Sequence, residues 1–312
     1  MFETPLEYLA RFSQVIGREI WIKRDDCNGD ILTSGNKQRK LLNLLKDAQH
    51  HGANVVLTSG GPQSNHARAT AALAIKYGLK PVLILGGEEP AIPTGNYLLN
   101  RLMNVKMIFT GAKTQEEMNN ALHQQAEKLK SEGHTPYCIP VGGSNGIGSS
   151  AYVEAYKELK RQTKEIIFDW LFVAAGSGGT MSGLLIGKHM FKDATRIVGI
   201  SPWLPEAQIR DKVEKCIEET LAISDTRVKV SREDIQISDA YIGDGYGIPT
   251  KEGVAALQLL AQTEAILLDY SYTSKTMAGC LQYINQGIIK PSEKILFWHT
   301  GGAPSIFTRG IE

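Results

Sequence analysis

The sequence predicts an α/β protein of two domains, each built on a mostly parallel sheet flanked by helices. Three observations carry this reading. Short apolar runs alternate with helical patterns along the whole chain. Glycine-rich turns follow several of those runs, where strands of an open parallel sheet deliver ligand sites. The 312 residues exceed what one small sheet needs and carry no fixed-period repeat.

In chain order, the strand candidates are Ile20–Lys23, Val55–Leu57, Pro81–Leu85, Lys106–Phe109, Leu171–Ala174, Arg196–Ile200, Ala265–Leu268 and Lys294–Phe297. Each is short, apolar and rich in β-branched or aromatic residues. Helical patterns lie between them, the clearest over Gln115–Glu132, Ser149–Gln162 and Met181–Met190. No Pro/Ser-rich linker marks a boundary.

Composition narrows the function classes. Thirty-four Lys and Arg against 33 Asp and Glu give a net charge of +1, which offers no reason to expect nucleic acid or an anionic membrane as partner. Cys27, Cys138, Cys216 and Cys280 are too scattered for a zinc knuckle or a disulfide framework. The first residues lack the charged-then-apolar plan of a signal peptide, and no apolar run approaches the ~18 residues of a membrane span. The expectation is a cytoplasmic protein.

Lys37 lies in Ser34-Gly35-Asn36-Lys37-Gln38-Arg39-Lys40, ahead of the apolar residues Leu41, Leu42, Leu44 and Leu45. Small polar residues leading into a helix present its amine near a helix start. An ordinary lysine titrates near ~10.4 and is a poor nucleophile, but burial or the nearby cations Arg39 and Lys40 can activate it. Taken alone, the motif fits a solvated basic helix start at least as well as a Schiff-base lysine.

Four glycine-rich turns stand at strand ends: Ser59–His66, Gly142–Asn145, Gly176–Thr180 and Thr300–Gly302. Gly176-Ser177-Gly178-Gly179-Thr180 is the best phosphate candidate. Its glycines let backbone amides approach an anion, and Ser177 and Thr180 add hydroxyl donors. It lacks the Gly-Lys-Ser/Thr ending of a nucleotide P-loop and breaks the dinucleotide fingerprint at Met181, so a monophosphate suits it better. Gln63-Ser64-Asn65-His66 opens a helix whose free amides, with Ser64 and Asn65, suit a carboxylate. A lone histidine such as His66 or His299 is more often hydrogen-bonded packing than an acid or base. A lysine for a carbonyl, a loop for a monophosphate and a helix start for a carboxylate together describe pyridoxal phosphate and an amino acid.

Seven motifs in order then resemble one family: residues 34–40, 63–66, 141–145, 174–180, 245–247, 272–275 and 299–302. The chain resembles the fold-type II pyridoxal-phosphate enzymes with their tryptophan-synthase-β-like fold, in the branch that contains D-cysteine desulfhydrase and 1-aminocyclopropane-1-carboxylate deaminase. The resemblance implies a large cofactor domain of residues 1–47 and 155–312, a small mobile domain of residues 48–154, and a homodimer. It implies that Lys37 forms the Schiff base and removes the α-proton. Asn65 would bond the pyridine 3′-oxygen, Gly176, Ser177, Gly178, Gly179 and Thr180 would cradle the phosphate with Lys40 assisting, and Thr300 would face the ring nitrogen. Ser64, Asn65, His66, Ser144, Tyr246, Tyr272 and Thr273 would line the substrate pocket, with one tyrosine delivering a proton to the leaving group. No metal is implied.

The deaminases of the cyclopropane substrate carry glutamate at the position of Thr273 and leucine at that of Thr300. Two threonines here favour β-elimination with a sulfur leaving group, D-cysteine giving pyruvate, ammonia and sulfide. Departures are Ser34 in place of glycine, Tyr270-Ser271 in place of Pro-Val, and a large aromatic in Pro202-Trp203-Leu204-Pro205. A sulfo-lyase acting on cysteate stays open, as does a catalytically silent binding homologue. A nucleotide-dependent oxidoreductase would leave Lys37 unexplained.

Overall fold

The computed structural model describes residues 3–29, 34–164 and 166–308. Ten strands appear among them: β1 (Leu6–Tyr8), β2 (Ile20–Arg24), β3 (Val55–Gly60), β4 (Lys80–Leu85), β5 (Lys106–Phe109), β6 (Pro136–Ile139), β7 (Trp170–Ala174), β8 (Arg196–Ile200), β9 (Gln236–Ser238) and β10 (Ile295–His299). The helices are α1 (Ala10–Ile16), α2 (Asn36–His50), α3 (Asn65–Lys76), α4 (Gly95–Leu102), α5 (Gln115–Ser131), α6 (Gly146–Thr163), α7 (Gly179–Met190), α8 (Glu206–Ala222), α9 (Lys251–Glu264) and α10 (Thr273–Asn285).

The strands form two sheets. The larger runs β1-β2-β10-β7-β8-β9, parallel except where β1 pairs antiparallel with β2. The smaller runs β5-β4-β3-β6, all parallel. Strands covered on both faces need continuous apolar sequence, and Val55–Gly60 and Trp170–Ala174 are buried along their whole length. One face of the large sheet packs Phe172, Phe297 and Ile22 against Leu260 of α9 and Met277 of α10. The other packs Leu171, Val173 and Trp298 against Tyr152 of α6, Leu184 of α7 and Val213 of α8. The small sheet buries Val56 and Ile139 against Leu41, Leu44 and Leu45 of α2 and Ala69 and Leu73 of α3. No helix among the described residues is long and apolar enough to cross a membrane.

Seven of the eight expected strands form. Ala265–Leu268 does not: Ala265 turns left-handed (φ 55°) to end α9, and both sides of β10 are already taken by β2 and β7. Its apolar residues serve the core instead, with Ile266 and Leu268 buried. Three strands go unpredicted, β1, β6 and β9, and all are short sheet edges. β6 opens on Pro136, tolerated at the first position of an edge strand but a poor strand signal. α5 starts where Thr114 and Glu117 cap it reciprocally.

Candidate active site

The carboxyl ends of β3, β6, β7 and β10 deliver the four glycine-rich turns. Lys37 stands in the first turn of α2. The backbone enters that helix through Gly35 at φ 59°, where a Cβ would meet Thr300 O at 2.3 Å. Only glycine lets α2 begin this close to the end of β10. Asn36 fixes the start from three directions. Its N–H donates to Thr300 O (3.0 Å), its Nδ2 donates to Thr180 Oγ1 (3.0 Å), and its Oδ1 accepts from Lys37 Nζ (2.8 Å). Burial pulls the Lys37 amine down to about 8; Asp269 opposes this and Arg68 reinforces it. The expected neighbours Arg39 and Lys40 are not what lowers it. Arg39 turns away into a buried cluster with Asp25 and Glu158.

Lys40, one turn further on, is almost fully buried, and its only hydrogen bond among the described residues goes to Ser144 Oγ (3.1 Å). Burial and the nearby Lys37 hold its amine well below the usual lysine range. Ser144 Oγ also meets Ser177 Oγ (2.8 Å) and accepts from Gly179 N (3.3 Å). Ser144 therefore belongs with the loop 176–180, whereas the sequence reading placed it among the substrate contacts. The loop passes through Gly178 at φ 89° into α7, and a Cβ on Gly179 would lie 2.7 Å from Ser144 Oγ. Glycines, free helix-start amides, two serines and a buried ammonium converge on one spot.

At the start of α3, Ser64 Oγ caps the helix by accepting from Ala67 N (3.1 Å). Asn65 Oδ1 accepts from Nδ2 of Asn96 (2.9 Å). Asn96, fully buried, also bonds both main-chain and side-chain oxygens of Gln63, and its Oδ1 accepts from Arg68 Nε (3.0 Å). His66 is neutral: burial, then Lys37 and Lys40, push its pKa well below the usual range. The Thr58 hydroxyl donates to Ile139 O (2.9 Å), so it accepts from His66 Nε2 (2.8 Å). His299 is likewise tied down, Nδ1 accepting from Gly301 N and Nε2 donating to Leu267 O.

The opposite wall is aromatic. Tyr246 and Tyr272 share a hydrogen bond between their hydroxyls (2.7 Å), their rings edge to face at 5.8 Å. A Cβ on Gly176 would lie 3.2 Å from the Tyr272 ring, so the phosphate-type loop runs beneath it. Burial raises the Tyr272 phenol well above its usual pKa, which keeps it a protonated donor. Asp269 organises this wall. Its carboxylate accepts from the N–H groups of Ser271 (2.9 Å), Tyr272 (3.0 Å) and Thr273 (2.7 Å) and from the Thr273 hydroxyl (2.8 Å). The Thr273 hydroxyl donates to Asp269 and accepts from Asp269 N (2.7 Å), so it shapes the turn.

Comparison with known proteins decides the family. The family model described as "Pyridoxal-phosphate dependent enzyme" matches residues 1–301. The chain belongs to that family. The D-cysteine desulfhydrase of Klebsiella pneumoniae (strain 342) is 40% identical over 310 residues, covering 97% of this chain and 93% of the relative. A solved structure described as an ACC deaminase homologue is 39% identical and superposes with a TM-score of 0.92, covering 99% of this chain and 92% of that one. Threonine deaminase isoform 2 from Solanum lycopersicum shares the fold at 18% identity and a TM-score of 0.68.

The residues present fit the cofactor this pyridoxal-phosphate family is described by. Lys40 is buried with a neutral hydrogen-bond partner, Ser144, so a phosphate beside it would supply a compensating charge. Glycines at 178 and 179 let the loop before α7 run where a Cβ would meet Lys212 and Ser144. Lys37 is poised as a partly neutral amine one helical turn away. Sequence reasoning missed Asn96, Asp269 and Lys275, which hold Asn65, Tyr272 and the aromatic wall. Lys275 is fully buried and donates to the carbonyls of Pro202 (3.3 Å), Ile242 (2.7 Å) and Gly245 (2.9 Å). It stood inside the quoted 272–275 motif, but nothing local marks a lysine as a three-carbonyl clamp.

Proposed function

We propose that this enzyme catalyses β-elimination from a small β-substituted α-amino acid, D-cysteine foremost, giving pyruvate, ammonia and sulfide. The observation that carries the reading is the pair Lys37 and Lys40 beside the glycine loop, each bonded to a neutral oxygen, Asn36 Oδ1 (2.8 Å) and Ser144 Oγ (3.1 Å). The D-cysteine desulfhydrase relatives and the threonine after β10 support elimination over ring opening.

In this reading Lys37 would hold the cofactor's carbonyl carbon, Asn65 its 3′-oxygen, Thr300 its ring nitrogen, and Gly176–Thr180 with Lys40 its phosphate. When bound, pyridoxal phosphate withdraws electrons from the substrate Cα. Lys37 Nζ removes the α-proton, an amine held at about 8 being well matched to that task near neutrality. Ser64 and the α3 start bind the substrate carboxylate. Tyr272, backed by Tyr246, donates a proton to the departing sulfur. We assign the large domain to residues 1–47 and 155–312 and the small, closing domain to 48–154, with α2 packing its leucines on the small sheet and tied to α6 through Arg39. A cytoplasmic homodimer fits the family.

The test is release of pyruvate and sulfide from D- and L-cysteine, beside 2-oxobutyrate release from 1-aminocyclopropane-1-carboxylate. Sulfide from D-cysteine is expected. Sulfide from neither enantiomer overturns the proposal, and 2-oxobutyrate alone would favour the deaminase reading.

A further inference from the structure

The Tyr246–Tyr272 pair does not end at the two hydroxyls. The Trp203 ring packs edge to face on Tyr246 at 5.9 Å between centroids, extending the wall outward as a row of three aromatic rings. Trp203 is 36% exposed and Tyr246 46%, and Ile248 on the same short loop is also 36% exposed. Three large apolar side chains open to solvent beside a site are more than scattered surface hydrophobics. Loop 245–248 lies over Ser271, since a Cβ on Gly247 would stand 3.9 Å from Ser271 Oγ. The row is anchored at its inner end, where a Cβ on Gly176 would touch both the Tyr272 ring (3.2 Å) and Pro202 (3.6 Å). Lys275 ties it from behind by binding the carbonyls of Pro202, Ile242 and Gly245, so both segments are held against α10.

Bare cysteine offers this row nothing. Its thiol is a single atom at the β-carbon, within reach of the tyrosine hydroxyls but not of Trp203. A β-substituent several ångströms long would lie along the rings. Asp269 is committed to the amides of 271–273 and Lys275 adds a buried positive charge behind the rings, so an apolar group suits the wall better than a cation.

We infer that Trp203, with Tyr246 and Ile248, forms a specificity wall for a thioether substrate, a cysteine whose sulfur carries an aryl or alkyl group. The inference rests on the β-elimination reading above and names its leaving group. The Cβ–S bond breaks and its electron pair leaves with sulfur. The sulfur takes a proton from the tyrosine pair to become a free thiol. The three-carbon fragment takes up one water and gives pyruvate and ammonium; no oxidant or reductant is needed.

The experiment measures kcat/KM of the holoenzyme for S-benzylcysteine and for cysteine, in the enantiomer it accepts, by thiol and pyruvate release. S-(2-aminoethyl)cysteine serves as the cationic control. The wild type is expected to cleave the benzyl thioether and to prefer it to the aminoethyl one. Trp203→Ser should lower the benzyl-to-cysteine ratio about tenfold, the worth of one aromatic contact, and Trp203→Phe should largely restore it. A benzyl thioether left intact while cysteine is cleaved, a ratio unmoved by Trp203→Ser, or a preference for the cationic thioether would each overturn the inference. Loss of pyruvate from every substrate would instead bring down the elimination reading beneath it.

Discussion

Helix α2 carries three cations within four residues, Arg39 and Lys40 buried and Lys37 partly so, and treats them in opposite ways. Arg39 faces a closed cluster. Its guanidinium bonds Asp25 Oδ1 (2.9 Å) and Glu158 Oε2 (2.7 Å), and Lys23 also pairs with Glu158. Asp25 further accepts from Thr4, Tyr152 and Trp298, so the cluster balances two positive charges against two negative ones. Lys37 and Lys40 sit about 100° per residue around the helix from Arg39, on the face toward the glycine loops. They find only neutral oxygens, Asn36 Oδ1 and Ser144 Oγ. A buried charge with its partner in place is architecture; one held by neutral oxygens fits the proposed binding of an anionic ligand. Arg39 fastens α2 to the turn after β2 and to α6, which fixes the helix that carries the two lysines.

The sharpest way to break this contrast is to remove one cation from each face. Lys37→Ala should abolish elimination, a loss of about a thousandfold or more in kcat, and should remove the visible absorbance change when pyridoxal phosphate is added. Its melting temperature should hold or rise, because an unpaired buried ammonium has gone. Surviving elimination at the wild-type rate would show that another base acts. On the other face, Asp25→Asn strips the carboxylate from a buried ion cluster and should cost about 3–5 kcal/mol in urea unfolding. An unchanged unfolding midpoint would mean the cluster is not the anchor described here.

The two faces were unequally legible in the sequence. The lysine motif, the loop 176–180 and the long apolar strands carry local patterns: glycines at fixed offsets, hydroxyls at helix starts and uninterrupted β-branched runs. Asp25, Glu158, Asn96, Asp269 and Lys275 carry none. Apart from Asp269, whose partners are the adjacent residues 271–273, they bond farther along the chain, Glu158 119 residues from Arg39 and Lys275 73 residues from Pro202. No spacing rule reaches that distance. The strand assigned to Ala265–Leu268 failed for a related reason. Its residues have the composition of a strand, but ladder positions are allotted by the whole sheet, and none was left beside β10.

Lys40 tests the ligand side of the contrast more gently. Lys40→Met keeps the volume and drops the charge, so the cofactor-free protein should be at least as stable as wild type. Cofactor affinity should weaken about tenfold to a hundredfold, the range of a charge-assisted contact, read from titration of the visible absorbance. Unchanged affinity would mean that the loop amides and Ser177 hold the phosphate without it.

The smallest effect separates the two faces by pH. The folded chain holds Lys37 at about 8, below the ~10.4 of an unfolded lysine, so between those values the unfolded state binds more protons. Stability of the cofactor-free protein contributed by this group therefore rises with pH across that window, and the similarly lowered Lys40 adds in the same sense. The Arg39 face behaves oppositely. Burial pushes the carboxyls of Asp25 and Glu158 up, but Arg39 and the surrounding donors more than reverse it and hold both low. Their contribution is present above the ordinary carboxylate range and is lost as pH falls below ~4. Other alkaline titrations, buried tyrosines among them, cancel when two proteins are compared. The difference in urea stability between wild type and Lys37→Met should thus shrink as pH climbs from 8 toward 10, while the acid limbs of the two curves run parallel. A difference that stays constant through the alkaline window would mean that Lys37 titrates in the folded protein as it does in the unfolded chain.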